Sequence, residues 1–276
     1  MSVPCVAAIH DLSCFGRCSL TVVAPVLSAM GCQCAPLPTA LLSTHTGGFE
    51  DNTFRDLTGE MEGIAAHWKA LGLAFRAIYS GFLGSKRQIA LVEAFLRDFR
   101  GKDTLAVVDP VMGDHGKPYR TYTAALCRGV RELARAADVI TPNLTEAAIL
   151  LDLPYERVRE MDAEETVKRL GENGKRSVVL TGYSSQAGRV GAMCYDREGG
   201  RIDTVETDRV AKEYHGTGDL FAAVLTGGLA KGETLIRAAE RAAGFVRICV
   251  AHTAEQDAPT RNGVEFEPLL GLLTEE

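Results

Sequence analysis

Leu105-Ala-Val-Val-Asp109-Pro-Val-Met-Gly-Asp114 joins four consecutive apolar residues to a turn that holds a proline, a glycine and two acids. A run so short and so uniformly apolar fits a strand buried on both faces, and such strands belong to parallel sheets sandwiched between helices. The pattern repeats outward from this stretch. Residues 3–9, 75–79, 139–140 and 178–180 are further short apolar runs, separated by longer segments of helical period. Alternation of this kind is the signature of βαβ units, so the expected fold class is α/β, three layers (α/β/α) around a central, mostly parallel sheet.

The intervening segments carry their own signals. Ser85 with Gln88 three residues on reads as a capping box, and Ile89, Val92, Leu96 and Phe99 form one stripe of the helix that follows. Segment 57–71 is amphipathic, and Trp68 and His67 are expected to divide between its surface and its core. Within 188–206, two alternating runs flank Arg197-Glu-Gly-Gly200 and predict a small antiparallel hairpin. No repeat, low-complexity tract or linker divides the chain, so residues 1–276 are expected to form a single domain.

Composition narrows the function. Of 276 residues, 46% are apolar, 24% charged and only 7% aromatic, and acids outnumber bases by six. That balance leaves no polybasic surface for a nucleic acid or an anionic membrane, so any polyanion must be held by a local site. Every apolar stretch is interrupted well before the roughly 20 residues a membrane span needs. The start of the sequence lacks the basic region of a secretory signal, and a cytoplasmic location is expected. Eight cysteines are too sparse for a disulfide scaffold and read as reduced thiols. The spacings of Cys14, Cys18, Cys32 and Cys34, with His10 and His45, match no common zinc pattern.

Three clusters could carry chemistry. In Gly216-Thr217-Gly218-Asp219 two glycines permit a tight turn whose amides converge on an anion where a helix begins, with Leu220, Phe221, Val224, Leu225 and Leu229 on its face. Asp219 then falls in the first helical turn, either as a base toward a substrate hydroxyl or simply as a complement to the dipole. In Thr141-Pro-Asn143-Leu-Thr-Glu146, an amide and a carboxylate at a strand's carboxyl end suit Mg²⁺, directly or through water, but equally suit a helix cap. Asp109 and Asp114 flank a turn at the sheet edge where open α/β folds bind ligands, a turn that Pro110 and Gly113 could also build unaided. Segment 113–120 is polar enough to be an active-site flap. Neither a Walker loop nor a dinucleotide fingerprint is present.

In this order the three clusters resemble the ribokinase superfamily and its vitamin-kinase branch. Leu42-Ser-Thr-His-Thr46 and Tyr79-Ser-Gly-Phe82 resemble the pyridoxal kinases, and the similarity runs over essentially the full length of the chain. Hydroxymethylpyrimidine kinases are near relatives, but their glycine-rich stretch after the first strand is replaced here by Gly16-Arg-Cys-Ser-Leu-Thr-Val-Val-Ala-Pro25. The resemblance implies a ribokinase-like homodimer that uses Mg²⁺ with ATP, and it allows a monovalent cation such as K⁺. It implies ATP-dependent phosphorylation of the 5′-hydroxymethyl group of a B6 vitamer. It makes Asp219 the catalytic base and Gly216, Thr217 and Gly218 the anion hole. Asn143 and Glu146 would organise Mg-ATP, Asp114 would lie near the metal, and Thr141 and Thr181 would border the nucleotide. Thr46, Phe82 and either His10 or Asp11 would meet the substrate ring. A hydroxymethylpyrimidine kinase and a catalytically silent B6-binding regulator are the alternatives.

Overall fold

The computed structural model describes residues 3–172 and 174–274. Its strands in chain order are β1 (Cys5–Ser13), β2 (Gln33–Leu42), β3 (Phe54–Asp56), β4 (Ala77–Ser80), β5 (Leu105–Val108), β6 (Gly113–Asp114), β7 (Lys117–Pro118), β8 (Val139–Ile140), β9 (Ser177–Tyr183), β10 (Arg189–Asp196) and β11 (Arg201–Asp208). The helices are α1 (Leu20–Ala29), α2 (Thr58–Ala70), α3 (Lys86–Phe99), α4 (Ala124–Arg135), α5 (Leu144–Leu151), α6 (Tyr155–Glu160), α7 (Ala163–Leu170), α8 (Thr217–Lys231) and α9 (Leu235–Glu255).

Nine strands form one sheet in the order β11-β10-β9-β8-β5-β4-β1-β2-β3. From β2 across to β9 every neighbouring pair is parallel, whereas β3, at one edge, and β10 pair antiparallel. The expected α/β class with a central, mostly parallel sheet is therefore present. Successive side chains of a strand point to opposite faces, and the central strands bury both. Val6, Ala8, Ala77, Tyr79, Val107 and Val179 pack under α1, α8 and α9. Ala7, Ile9, Ile78, Ala106, Val108 and Val178 pack under helices of the segment from α2 to α7. The near-continuous apolar runs follow directly from this double burial.

Several details depart from the sequence reading. The first strand starts at Cys5 and continues to Ser13, so polar His10, Asp11 and Ser13 are drawn into its buried end. The antiparallel hairpin is β10–β11, but it is not separate, because β10 also pairs with β9 and so extends the main sheet. At α3 only half of the capping box forms. The Ser85 hydroxyl accepts from the Gln88 amide at 3.2 Å, while the buried Gln88 side chain turns inward and donates to the Thr39 carbonyl at 2.8 Å. Of the two aromatic rings on α2, Trp68 is the one that packs inward, against Phe75 and Phe95, and His67 is exposed. No described helix is long and apolar enough to cross a membrane.

Candidate active site

Because β1, β4, β5, β8 and β9 run parallel, their carboxyl ends share one edge of the sheet, and the polar residues that end them meet there. Asp11 and Ser13 end β1, Ser80 ends β4, Asp109 follows β5, Thr141 follows β8, and Thr181 lies on β9. The glycine turn that opens α8 arrives at the same edge.

Gly216 caps α8 with φ of 79°, in the left-handed region, and a Cβ at this position would collide with the Arg17 carbonyl oxygen. Only glycine meets both demands. Gly218 is different: its backbone is ordinary helix, and nothing lies within 4 Å of where its Cβ would be. The first turn of α8 thus presents amides to open space, the arrangement that suits an anion. Thr217 Oγ1 turns back to the Tyr214 carbonyl at 3.4 Å.

Asp219 is the third residue of α8 and half-buried. Its Oδ2 accepts from the Ser19 amide at 2.9 Å. Burial pushes its carboxyl up to about 6, the Ser19 amide opposes that rise, and the charge of Asp11 adds to it. Asp109 is pushed to about 7, by burial first and then by Asp219, with the Thr141 hydroxyl opposing. Asp11 is also raised by burial, and both of its oxygens are engaged: Oδ1 accepts from Ser19 Oγ at 2.6 Å and Oδ2 from Ser13 Oγ at 3.0 Å. Ser19, which the sequence reading passed over, bridges the two acids.

The two acidic motifs are stitched into one unit. Asn143 caps α5, its side chain accepting from the Glu146 amide at 2.9 Å, while Glu146 Oε2 accepts from the Asn143 amide at 2.9 Å. The remaining polar atoms carry the β6–β7 ribbon. Glu146 Oε1 accepts from the Met112 amide at 3.1 Å, Asn143 Nδ2 donates to the Gly113 carbonyl at 2.9 Å, and Thr145 Oγ1 accepts from the Gly116 amide at 2.8 Å. Glu146 is deeply buried, and burial followed by the charge of Asp109 pushes its carboxyl well up. Asp114 is exposed on the ribbon. Tyr119, just beyond β7, faces Glu146, Asp114, Asp109 and Asp219, and partial burial together with those charges pushes its phenol up.

Other expected site residues are placed less directly. Thr181 lies beside Thr141, its amide donating to the Pro142 carbonyl at 2.9 Å. Phe82 is half-buried and packs edge-on to Tyr122 at 5.9 Å. Thr46 is exposed, on a loop held by His45, whose ring lies 2.7 Å from the Arg261 carbonyl and accepts from the Gly47 amide at 3.1 Å. His10 is fully buried beneath Gly81, packed edge-on against Tyr79, and burial holds its imidazole down to about 3. Both ring nitrogens are buried without a hydrogen-bond partner among the described residues. Among the described residues no group of three or more His, Cys, Asp or Glu is arranged to hold a metal without further ligands.

Residues 25–262 match the phosphomethylpyrimidine kinase family. The chain belongs to this family. A Bacteroides thetaiotaomicron protein described as a phosphomethylpyrimidine kinase, crystallised with pyridoxal, is 41% identical, with a TM-score of 0.92 over 99% of this chain and 96% of that one. The pyridoxal kinase of Lactobacillus plantarum is 34% identical, with a TM-score of 0.91 over 99% and 97%. The pyridoxine/pyridoxal/pyridoxamine kinase of Bordetella avium is 31% identical over 270 residues, 92% of this chain and 86% of its relative.

Proposed function

We propose that this protein is a cytoplasmic, ATP-dependent kinase, a single catalytic domain and a homodimer, that phosphorylates the 5′-hydroxymethyl group of vitamin B6. The observation that carries the reading is Asp219, held by the Ser19 amide one residue beyond the open Gly218. With its carboxyl near 6, Asp219 is mostly ionised at neutral pH and able to accept the hydroxyl proton. The substrate oxygen attacks the γ-phosphorus as the bond to the ADP oxygen breaks, and ADP leaves with that electron pair while the proton passes to Asp219. Amides of the Gly216 to Gly218 turn and the α8 dipole are the groups available to stabilise charge on the transferred phosphoryl.

The donor set fits Mg²⁺. Asp109 and Glu146 are buried acids facing each other with no basic partner among their hydrogen bonds, and hard oxygen donors of this kind favour a hard cation. Since the Asn143 and Glu146 side chains are engaged in the cap, they would hold such an ion through water. When bound, Mg²⁺ neutralises phosphate charge. In this reading Asp114 on the ribbon and Thr141 and Thr181 at the ends of β8 and β9 are the nucleotide's neighbours, and Thr46 and Phe82 border the ring.

Likeness to the pyridoxal-bound Bacteroides protein and to the Lactobacillus enzyme favours a pyridine ring over a pyrimidine one. The test is ADP release from Mg-ATP on addition of pyridoxal. Turnover with phosphate on the 5′-oxygen is expected, whereas pyridoxal binding without ADP release would show a silent B6-binding protein.

A further inference from the structure

Ser19 caps α1 with φ of 53° and ψ of −131°. Glycine reaches that region freely and a side-chain-bearing residue does not, so a serine stays there only when its surroundings hold it. Three contacts do so. Ser19 Oγ donates to Asp11 Oδ1 at 2.6 Å, the Ser19 amide donates to Asp219 Oδ2 at 2.9 Å, and the Ser19 carbonyl accepts from the Val22 and Val23 amides at 3.0 and 2.9 Å. The last contact fixes ψ, but the direction of the amide depends on φ and hence on the hydroxyl anchor.

We propose that Ser19 and Asp11 are positioning residues: Asp11 holds the strained serine through its hydroxyl, so that the serine amide fixes one oxygen of Asp219 and leaves the other for the substrate. This rests on the reading of Asp219 as the base. Each Asp11 oxygen already accepts one hydroxyl, Oδ1 from Ser19 and Oδ2 from Ser13 at 3.0 Å. An amide hydrogen bond to the charged form lowers a carboxyl's pKa, and the negative charge of Asp11 raises it, so the pair also tunes the acid limb. The titratable groups that face Asp219 are Asp11 on β1, Cys18 just before α1, Tyr79 on β4, Asp109 beyond β5 and Tyr119 beyond β7. The Cys18 thiol and both phenols are pushed up and stay neutral across the range, which leaves Asp219, Asp109 and Asp11 to titrate.

The test is kcat against pH with pyridoxal and Mg-ATP. In Ser19→Ala the strain persists without its anchor, the amide turns away, and the acid limb moves up by about one pH unit. In Ser19→Gly the conformation is unstrained, the amide stays, and the limb is expected where the parent has it. Asp11→Asn still accepts the serine hydroxyl but lacks the charge, so its limb moves down. A merely structural role would lower kcat at every pH without moving the limb. An unmoved limb in Ser19→Ala, or an equal shift in Ser19→Gly, overturns the proposal. Should the alanine variant fail to fold, Asp11→Ala, which removes the anchor, is compared with its combination with Ser19→Gly, which needs none: the limb of the double variant is expected about one pH unit below that of Asp11→Ala, and equal limbs overturn the proposal. Asp219→Asn is run alongside: near-parental turnover in that variant overturns the underlying reading of Asp219, a different result from any of these.

Discussion

At Asp219 three forces act on one carboxyl group: burial and the charge of Asp11 raise it, and the Ser19 amide lowers it. The net value near 6 lets it serve as a base at neutral pH and sets a limit below it. Asp219→Asn is expected to fold and bind ATP while kcat with pyridoxal falls by roughly 10²–10⁴; a variant with near-parental kcat would remove Asp219 from the mechanism. Asp109 offers a stability readout. Its folded value, near 7, lies above the unfolded one, so its ionisation destabilises the fold, absent below about pH 4 and fully developed above pH 7. Buried His10, held down near 3, acts oppositely as pH falls below 6.5, so a difference between variants is the cleaner measure. Each pH unit that separates the folded and unfolded values is worth about 1.4 kcal/mol, so Asp109→Asn should be more stable than the parent by a few kcal/mol at pH 8 and by much less at pH 5. Equal gains at both pH values in denaturant titrations would contradict the assignment.

At the scale of elements, α5 and the β6–β7 ribbon form one device, since the atoms that cap the helix also carry the ribbon. Glutamine serves at the third position of a capping box nearly as well as glutamate. Glu146→Gln keeps an acceptor for the Asn143 amide but turns its NH2 toward the Met112 amide, so it should lower stability by about 1–3 kcal/mol and, in the folded protein, require more Mg²⁺ for half-maximal activity, with less change in the KM for pyridoxal. If Mg²⁺ titration shows no difference, Glu146 is a helix-start residue alone. Here the sequence was readable by spacing: Asn143 and Glu146 are three residues apart because a cap demands it, and the atoms that form the cap are the ones proposed to organise the metal. The strand β2 was not readable, because Pro36 and Pro38 argue against a strand inside a sheet. Its pairing explains them. The Gln33 amide donates back toward β1, to the Pro4 carbonyl, so alternate residues 34, 36 and 38 face away from β1. The partner on that side, β3, pairs only from Ala40 onward. Both prolines thus lack an N–H where none is needed.

Across the whole molecule, the parallel sheet brings to one edge residues far apart in the chain, from Asp11 to Asp219. Asp109, Asn143, Glu146 and the glycine turn were legible because each sits in a short motif at the end of a strand or the start of a helix. Ser19 was not, since its role depends on a backbone angle and on two acids 8 residues before it and 200 after it. Gly216 shows the same long reach, its missing Cβ making room for the Arg17 carbonyl. Gly216→Ala should cost upwards of roughly 1–3 kcal/mol and lower both Tm and kcat, because the φ penalty and the collision add; an unchanged Tm would contradict the packing of that turn. Substrate choice belongs to this scale as well, because the residues proposed to border the ring, Thr46 and Phe82, lie on separate loops, beyond β2 and β4. A pocket that hydrogen-bonds one ring's substituents discriminates against an analogue lacking them by up to about 10⁴. The most direct measurement is kcat/KM for pyridoxal and for hydroxymethylpyrimidine, side by side with Mg-ATP. A ratio of roughly 10² or more in favour of pyridoxal is the expected result, and equal or reversed constants would contradict the assignment to vitamin B6.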